Sequence, residues 1–282
     1  MKHVTLPGGE RVPALGLGTW RMGETAARRG QEAAILRQGL DRGLTLIDTA
    51  EMYGEGGAEE VVAEAIAGRR DDVFIVSKLY PHNASRDGVV AACDRSLARL
   101  ATETIDLYLL HWRGTHPLSE TVEGFERLKR DGKIRYWGVS NFDVPDLEEA
   151  WKTAGGSDIV CNQVLYHVQE RAIEHAVLPW CEQHRLAVTA YSPFGHGDFP
   201  SKLTPGGRVL ADIAQAHEAT PRQIALAFLT RRPSVFAAPK ASSVEHVEEN
   251  AGASDIRLSQ AQIARIDAAF PRGQPPRRLP MI

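Results

Sequence analysis

The chain has 282 residues, with 33 Lys and Arg against 36 Asp and Glu and a formal net charge of −3. That near-neutral, faintly acidic balance leaves no electrostatic footprint for nucleic acid, and no run of ~18 apolar residues offers a membrane span. Cys93, Cys161 and Cys181 are scattered and odd in number, which suits small buried hydrophobes in a reducing, cytoplasmic setting, and no metal-ligand spacing or GxxxxGK[ST] phosphate loop occurs.

The chain opens with VTLPGGERVP (4–13), two β-prone pieces around Pro7-Gly8-Gly9 that predict a short hairpin and contain no apolar core of a signal peptide. Eight short apolar runs follow: ALGLG (14–18), LTLID (44–48), VFIVSK (73–78), IDLYLLH (105–111), IRYWGVS (134–140), IVCNQV (159–164), LAVTAYS (186–192) and VFAAPK (235–240). Continuous rather than alternating apolar runs suit strands buried on both faces, as in parallel sheets. Between them, QEAAILRQGLDRG, VVAACDRSLARL and SETVEGFERLKRDGK carry apolar residues three and four apart, the helical period. The connection from the seventh run to the eighth (193–234) is the longest and has room for an extra helix. Two capping boxes mark helix starts, Thr220-Pro221-Arg222-Gln223 with proline at the first helical position, and Ser259 with Gln262. Eight strand–helix units in about 230 residues predict a (β/α)8 TIM barrel, an α/β fold with an N-terminal β-hairpin, as a single domain over residues 1–282.

In such a barrel the chemistry sits at the carboxyl ends of the strands. The second run ends in Asp48, the third in Lys78 and the fourth in His111. Neighbouring strands lie ~4.8 Å apart, so an acid, an amine and an imidazole arrive together. Tyr53, five residues after Asp48 in a glycine-rich loop, can fold back onto them. A free phenol with a pKa near ~10 is a poor acid at neutral pH, and an adjacent ammonium lowers that value. Tyr53 is therefore read as a proton donor, Lys78 as the cation that tunes it, and Asp48 as the group that holds Lys78. A neutral His111 would bond the same substrate oxygen. The constellation suits carbonyl reduction, with hydride to carbon and the tyrosine proton to oxygen. Singly, each residue is bland: a loop acid, a half-buried ring, a rim lysine, a core histidine. Their order at three consecutive strand ends carries the argument.

GLGTW (16–20), LIDTAEMYG (46–54), SK (77–78), LLHW (109–112), GVSNF (138–142), NQVLYH (162–167), AYSP (190–193) and PKAS…EN (239–250) resemble the aldo-keto reductase superfamily over essentially the whole chain. Within it the chain is most similar to bacterial reductases of small dicarbonyls, the methylglyoxal and diketogluconate type. The resemblance places the family's tetrad on Asp48, Tyr53, Lys78 and His111. It implies a cytosolic, monomeric enzyme that uses NADPH, with NADH as the alternative cofactor. No GxGxxG opens a helix after a strand, so a Rossmann domain is not expected. Instead the resemblance assigns Ser140, Asn141 and Gln163 to the carboxamide and Tyr191 to the face of the nicotinamide. Ser192, Phe194 and Gly195 fall on the pyrophosphate loop, with Arg21 and Asp198 bridging over it, and Gly18, Thr19 and Trp20 are also expected to touch the cofactor. Lys240, Ser242, Ser243, Glu249 and Asn250 fall on the adenosine and its 2′-phosphate. His246 stands where the family often has arginine, and a mostly neutral imidazole lacks the permanent fork of a guanidinium, which softens the NADPH preference. Trp20, Tyr80 and Trp112 are expected to line the substrate mouth. The short loop WRGTHPLSE and short tail suit a small polar carbonyl compound. The alternative function is a cofactor-binding regulatory barrel without significant turnover, against which the intact tetrad speaks.

Overall fold

A computed structural model describes residues 1–156 and 158–282. An antiparallel hairpin, β1 (His3–Thr5) and β2 (Arg11–Pro13), comes first. Eight parallel strands follow, hydrogen-bonded in chain order: β3 (Leu17–Gly18), β4 (Leu46–Asp48), β5 (Phe74–Leu79), β6 (Ile105–Leu110), β7 (Ile134–Ser140), β8 (Ile159–Leu165), β9 (Ala187–Tyr191) and β10 (Val235–Ala237). The first and last meet. Leu15 and Gly18 bridge Ala237 and Lys240 in parallel, and the Gly16 N–H donates to the Ala237 carbonyl at 2.9 Å, so the sheet closes into the expected barrel. Gly18 lies so close to β10 that a Cβ there would sit 2.4 Å from the Ala238 carbonyl. The eighth strand stops at Ala237, short of the predicted 240, because Pro239 has no N–H to give the ladder.

Ten helices surround the strands: α1 (Arg29–Asp41), α2 (Gly57–Ile66), α3 (Arg86–Leu100), α4 (Leu118–Arg130), α5 (Val144–Thr153), α6 (Val177–Gln183), α7 (Pro205–Ala216), α8 (Pro221–Leu229), α9 (Val244–Gly252) and α10 (Gln260–Ala269), counted among the described residues. Helix α7 is the extra element that the long connection has room for. Both capping boxes form, Thr220 with Gln223 on α8 and Ser259 with Gln262 on α10. Among the described residues no helix is long and apolar enough to cross a membrane.

The apolar residues divide into two cores. Leu46, Phe74, Val76, Leu107, Leu109 and Phe236 fill the barrel, together with Val4, Leu6 and Val12 of the hairpin. Ile47, Ile75, Tyr108 and Leu110, their outward neighbours, pack against the helices. Each fully buried Val or Leu contributes roughly 1.5–3 kcal/mol, so three such residues fasten the hairpin across the barrel floor by several kcal/mol. Side chains alternate along a strand. The inward series therefore climbs from 46 to 48, from 74 through 76 to 78, and from 107 through 109 to 111. Asp48, Lys78 and His111 occupy the next inward step, at the mouth opposite the hairpin.

Candidate active site

Asp48 closes β4 and is reached from both sides. Lys78 Nζ on β5 donates to its Oδ2 at 2.9 Å, and Gln163 Nε2 on β8 donates to its Oδ1 at 2.8 Å. Lys78 also donates to the Thr49 carbonyl at 2.8 Å and to the Tyr53 hydroxyl at 3.2 Å. Its three N–H donors are all used, as a wholly buried ammonium requires. Tyr53 returns to this cluster because the chain after it runs left-handed, with φ of 57°, 54° and 93° at Gly54, Glu55 and Gly56. Glycine adopts that conformation without penalty, which answers why the tyrosine sits among glycines. The Trp20 ring meets Tyr53 edge-on at 5.0 Å, and the His111 ring does so at 5.9 Å.

The electrostatics follow from burial. Desolvation pushes the Tyr53 phenol up, and although the Lys78 charge and hydrogen bond pull it down, the net direction is upward. The expectation that the ammonium would lower it is thus overturned by the low-dielectric surroundings. For Lys78, burial disfavours the charge, but Asp48 and Tyr53 outweigh it and the ammonium is held charged. Burial, then the Lys78 charge, takes His111 well below the usual histidine range, so the imidazole is neutral at pH 7. Its Nδ1 is buried with no hydrogen-bond partner among the described residues.

The residues expected for a carboxamide sit beside this cluster. Ser140 Oγ donates to the Gln163 carbonyl at 2.9 Å, Asn141 Nδ2 donates to the His111 carbonyl at 3.1 Å, and the Tyr191 hydroxyl donates to Asn141 Oδ1 at 2.9 Å. Farther along the rim, Ser192, Phe194 and Gly195 lead to Asp198, whose Oδ1 accepts from the His196 N–H at 2.8 Å. Asp198 thus bonds within its own loop and is not paired with the exposed Arg21. Thr19 is wholly buried and donates to the Asp48 carbonyl at 3.0 Å, so with Gly18 it builds the seam between β3, β4 and β10 and presents no polar group to the mouth. Lys240 is half-buried and pairs with no acid among the described residues. Burial lowers its ammonium, Arg28 and Arg21 act in the same direction, and Glu32 and Glu24 oppose them. Ser243 caps α9 by accepting from the His246 N–H at 3.3 Å, and Ser242 Oγ lies 3.3 Å from His246 Nδ1. Glu249 Oε1 accepts from Thr220 Oγ1 at 2.6 Å, while the neighbouring Asn250 is buried with its Nδ2 unpartnered among the described residues. At the mouth, Trp20 is 42% exposed, and Trp112 stands 4.9 Å from His111 and 6.0 Å from Tyr80.

One residue of this region carries no mark in the sequence. Glu51, between Asp48 and Tyr53, is buried and accepts from the Tyr80 N–H at 2.6 Å and Asn83 Nδ2 at 2.8 Å. It fixes the loop that presents Tyr80. Its partners lie 29 and 32 residues away, so only a buried acid in a strand-end loop could have signalled it.

Comparison with known proteins agrees with this geometry. Residues 14–270 match the model of the aldo/keto reductase family. The chain is 47% identical over 270 residues to methylglyoxal reductase YeaE of Escherichia coli, covering 96% of this chain and 95% of that one. It is 32% identical over 268 residues to glyoxal reductase of Bacillus subtilis, covering 94% and 91%. A crystal structure of an aldo-keto reductase from Klebsiella pneumoniae in complex with NADPH superposes with a TM-score of 0.94 at 51% identity, covering 100% of this chain and 99% of that one.

Proposed function

Because the chain belongs to the aldo/keto reductase family, we propose that it reduces small aldehydes and ketones, dicarbonyl or sugar-derived, to alcohols with NADPH. The observation that carries the reading is the Tyr53 hydroxyl held 3.2 Å from the Lys78 ammonium at the barrel mouth. Tyr53, protonated at neutral pH, donates its proton to the carbonyl oxygen as negative charge develops there. Lys78 stabilises the phenolate left behind, and Asp48 keeps Lys78 charged and aimed. Neutral His111 hydrogen-bonds the same oxygen and orients it. General acid catalysis of this kind contributes ~10²–10⁴-fold.

A nicotinamide dinucleotide phosphate, when bound, supplies the hydride. The residues present fit it. Among the described residues, Gln163 keeps its Oε1 free of protein donors, Asn250 Nδ2 is buried without a partner, and Lys240 makes no ion pair, with Glu32 and Glu24 acting on it only from a distance. These groups, with Ser140, Asn141, Tyr191, the 192–198 loop and the start of α9, would hold its carboxamide, pyrophosphate and adenosine ends. Trp20, Tyr80 and Trp112 would enclose a small substrate, and the similarity to methylglyoxal and glyoxal reductases favours dicarbonyls. One chain contributes every group, which suits a monomer formed from one barrel domain. The three free, buried cysteines suit the reducing cytoplasm. A regulatory barrel without turnover is not favoured, because such a role leaves the bonded Asp48–Lys78–Tyr53 cluster unexplained.

The test is consumption of NADPH, followed by absorbance, with a panel of small aldehydes, dicarbonyls and sugars. Turnover that is fastest with dicarbonyls is expected. Cofactor binding without turnover on any carbonyl would favour the regulatory alternative.

A further inference from the structure

We propose that Arg222 is a further cofactor-binding residue, a guanidinium held ready for a phosphate of the dinucleotide. The proposal rests on the reading that this corner of the barrel holds the cofactor. Arg222 is the second residue of α8, and the start of α8 lies at the barrel face that carries the tetrad, since the helices run back against the strands. The first turn of α8 is fixed to α9. Thr220 Oγ1 donates to Glu249 Oε1 at 2.6 Å, and Gln223 Nε2 donates to the Glu249 carbonyl at 2.9 Å. From that base the exposed Arg222 side chain reaches the 192–199 loop. Its guanidinium lies 5.6 Å from the Phe194 ring centre and 5.4 Å from that of Phe199, and these two rings meet edge-to-face at 5.8 Å.

Stacking occupies the face of a guanidinium and leaves its edge, with five N–H donors in a plane. Four arginines lie over aromatic rings among the described residues: Arg135, Arg171, Arg222 and Arg231. Three of them spend their edges on carboxylates, Arg135 on Asp106, Arg171 on Glu174 and Asp267, and Arg231 on Glu174. Arg222 alone among them has no acceptor and no ion pair. The nearby Glu249 is already tied to Thr220, and beside it Asn250, 2% exposed, keeps an unpartnered Nδ2. A cation held over two rings with no acceptor of its own is complementary to an anion bearing several acceptors.

A planar fork matches a phosphate and makes charge-assisted bonds to it, and a pre-stacked guanidinium loses little freedom in forming them. Arg222 thereby supplies, from the neighbouring helix, the guanidinium that position 246 lacks. Both the pyrophosphate and the 2′-phosphate present this chemistry, and comparison of the two cofactors separates them.

The measurement is the dissociation constant of NADPH and of NADH by fluorescence titration. It is made for the wild type, Arg222→Ala, Arg222→Lys and, as a control for diffuse charge effects, Arg127→Ala on α4. Thermal midpoints confirm that the exposed substitutions leave the fold intact. Arg222→Ala is expected to weaken NADPH about tenfold, the loss of one hydrogen-bonded charge contact, with lysine recovering only part and Arg127→Ala changing nothing. A loss confined to NADPH assigns the 2′-phosphate, and an equal loss for both cofactors assigns the pyrophosphate. An NADPH constant unchanged in Arg222→Ala, or no weaker than in Arg127→Ala, overturns the proposal, as does full recovery by lysine. A wild type that binds neither cofactor instead overturns the functional reading beneath it.

Discussion

At Tyr53 two effects oppose each other. Burial raises the phenol and the Lys78 ammonium lowers it, and burial prevails. The residue is therefore protonated through the neutral range, the state a proton donor must start from. Reductase activity is expected to stay level there and to fall only in the alkaline range, as the raised phenol ionises. Tyr53→Phe keeps the ring that Trp20 and His111 pack against, so cofactor binding should survive while kcat falls ~10²–10⁴-fold. A variant retaining a tenth or more of wild-type kcat would refute the assignment. Lys78 differs from a rim lysine in having no exposed surface and in neutralising the buried Asp48. Lys78→Met should therefore cost stability as well as activity, about 3–5 kcal/mol for a carboxylate left without its cation. Urea unfolding measures this, and an unchanged midpoint would mean that Asp48 finds another partner. That Asp48, Lys78 and His111 would meet was legible because strand ends and period-two alternation are local properties. Glu51 was not, because its meaning lies in the backbone of a loop on the next strand.

Single elements were legible to the same extent that their signals were local. Each capping box is read within four residues, and both form. The anchoring of α2 is not local. Glu59 on α2 is wholly buried and accepts from Ser77 Oγ on β5 and from Arg99 Nε on α3, both at 2.6 Å. The Arg99 side chain also crosses Gly56, where a Cβ would lie 2.5 Å from its Cδ. The left-handed turn that returns Tyr53 is thus held between Arg99 and the Met22–Gly23 backbone, which a Cβ on Gly54 would meet at 2.8 Å. Arg99→Ala should lower stability by about 3 kcal/mol, the effect of a buried carboxylate losing its cation. It should also lower kcat more than it weakens cofactor binding, because the loosened turn carries Tyr53 and not the cofactor rim. Arg99→Lys, which restores the charge, should recover part of both. A stability loss with kcat intact would show that Arg99 supports the helix without positioning the tyrosine.

For the whole molecule, eight strand–helix units and the hairpin were readable from the sequence, whereas the fastening of the C-terminal helix was not. One carboxylate does much of that work. Glu174, between β8 and α6, accepts from Arg171 Nη2 at 2.6 Å, from Arg231 Nη2 at 3.2 Å and from the Tyr166 hydroxyl. Arg171 in turn donates to Asp267 on α10 and to the Phe270 carbonyl just beyond it, both at 2.7 Å. These partners are 57 and 96 residues apart in sequence, so no periodicity announces them. Burial alone would raise the Glu174 carboxyl, but the hydrogen bonds from Arg171 and Tyr166 and the charges of Arg171 and Arg231 outweigh it and hold it at about 2. An unfolded glutamate titrates near ~4.3. A carboxyl depressed on folding contributes stability that is complete above the unfolded value and is lost as pH falls through the folded one. The clamp should therefore be intact at pH 7 and weaken between about pH 4.5 and 2. Glu174→Gln keeps the size and can still accept a hydrogen bond but removes the charge, so the gap in unfolding free energy between wild type and variant should be widest at neutral pH and narrow across that acid window. Urea titrations along the pH series measure the gap, and a gap that stayed constant into the acid would show that shape, and not the ionised carboxylate, holds the C-terminal helix to the barrel.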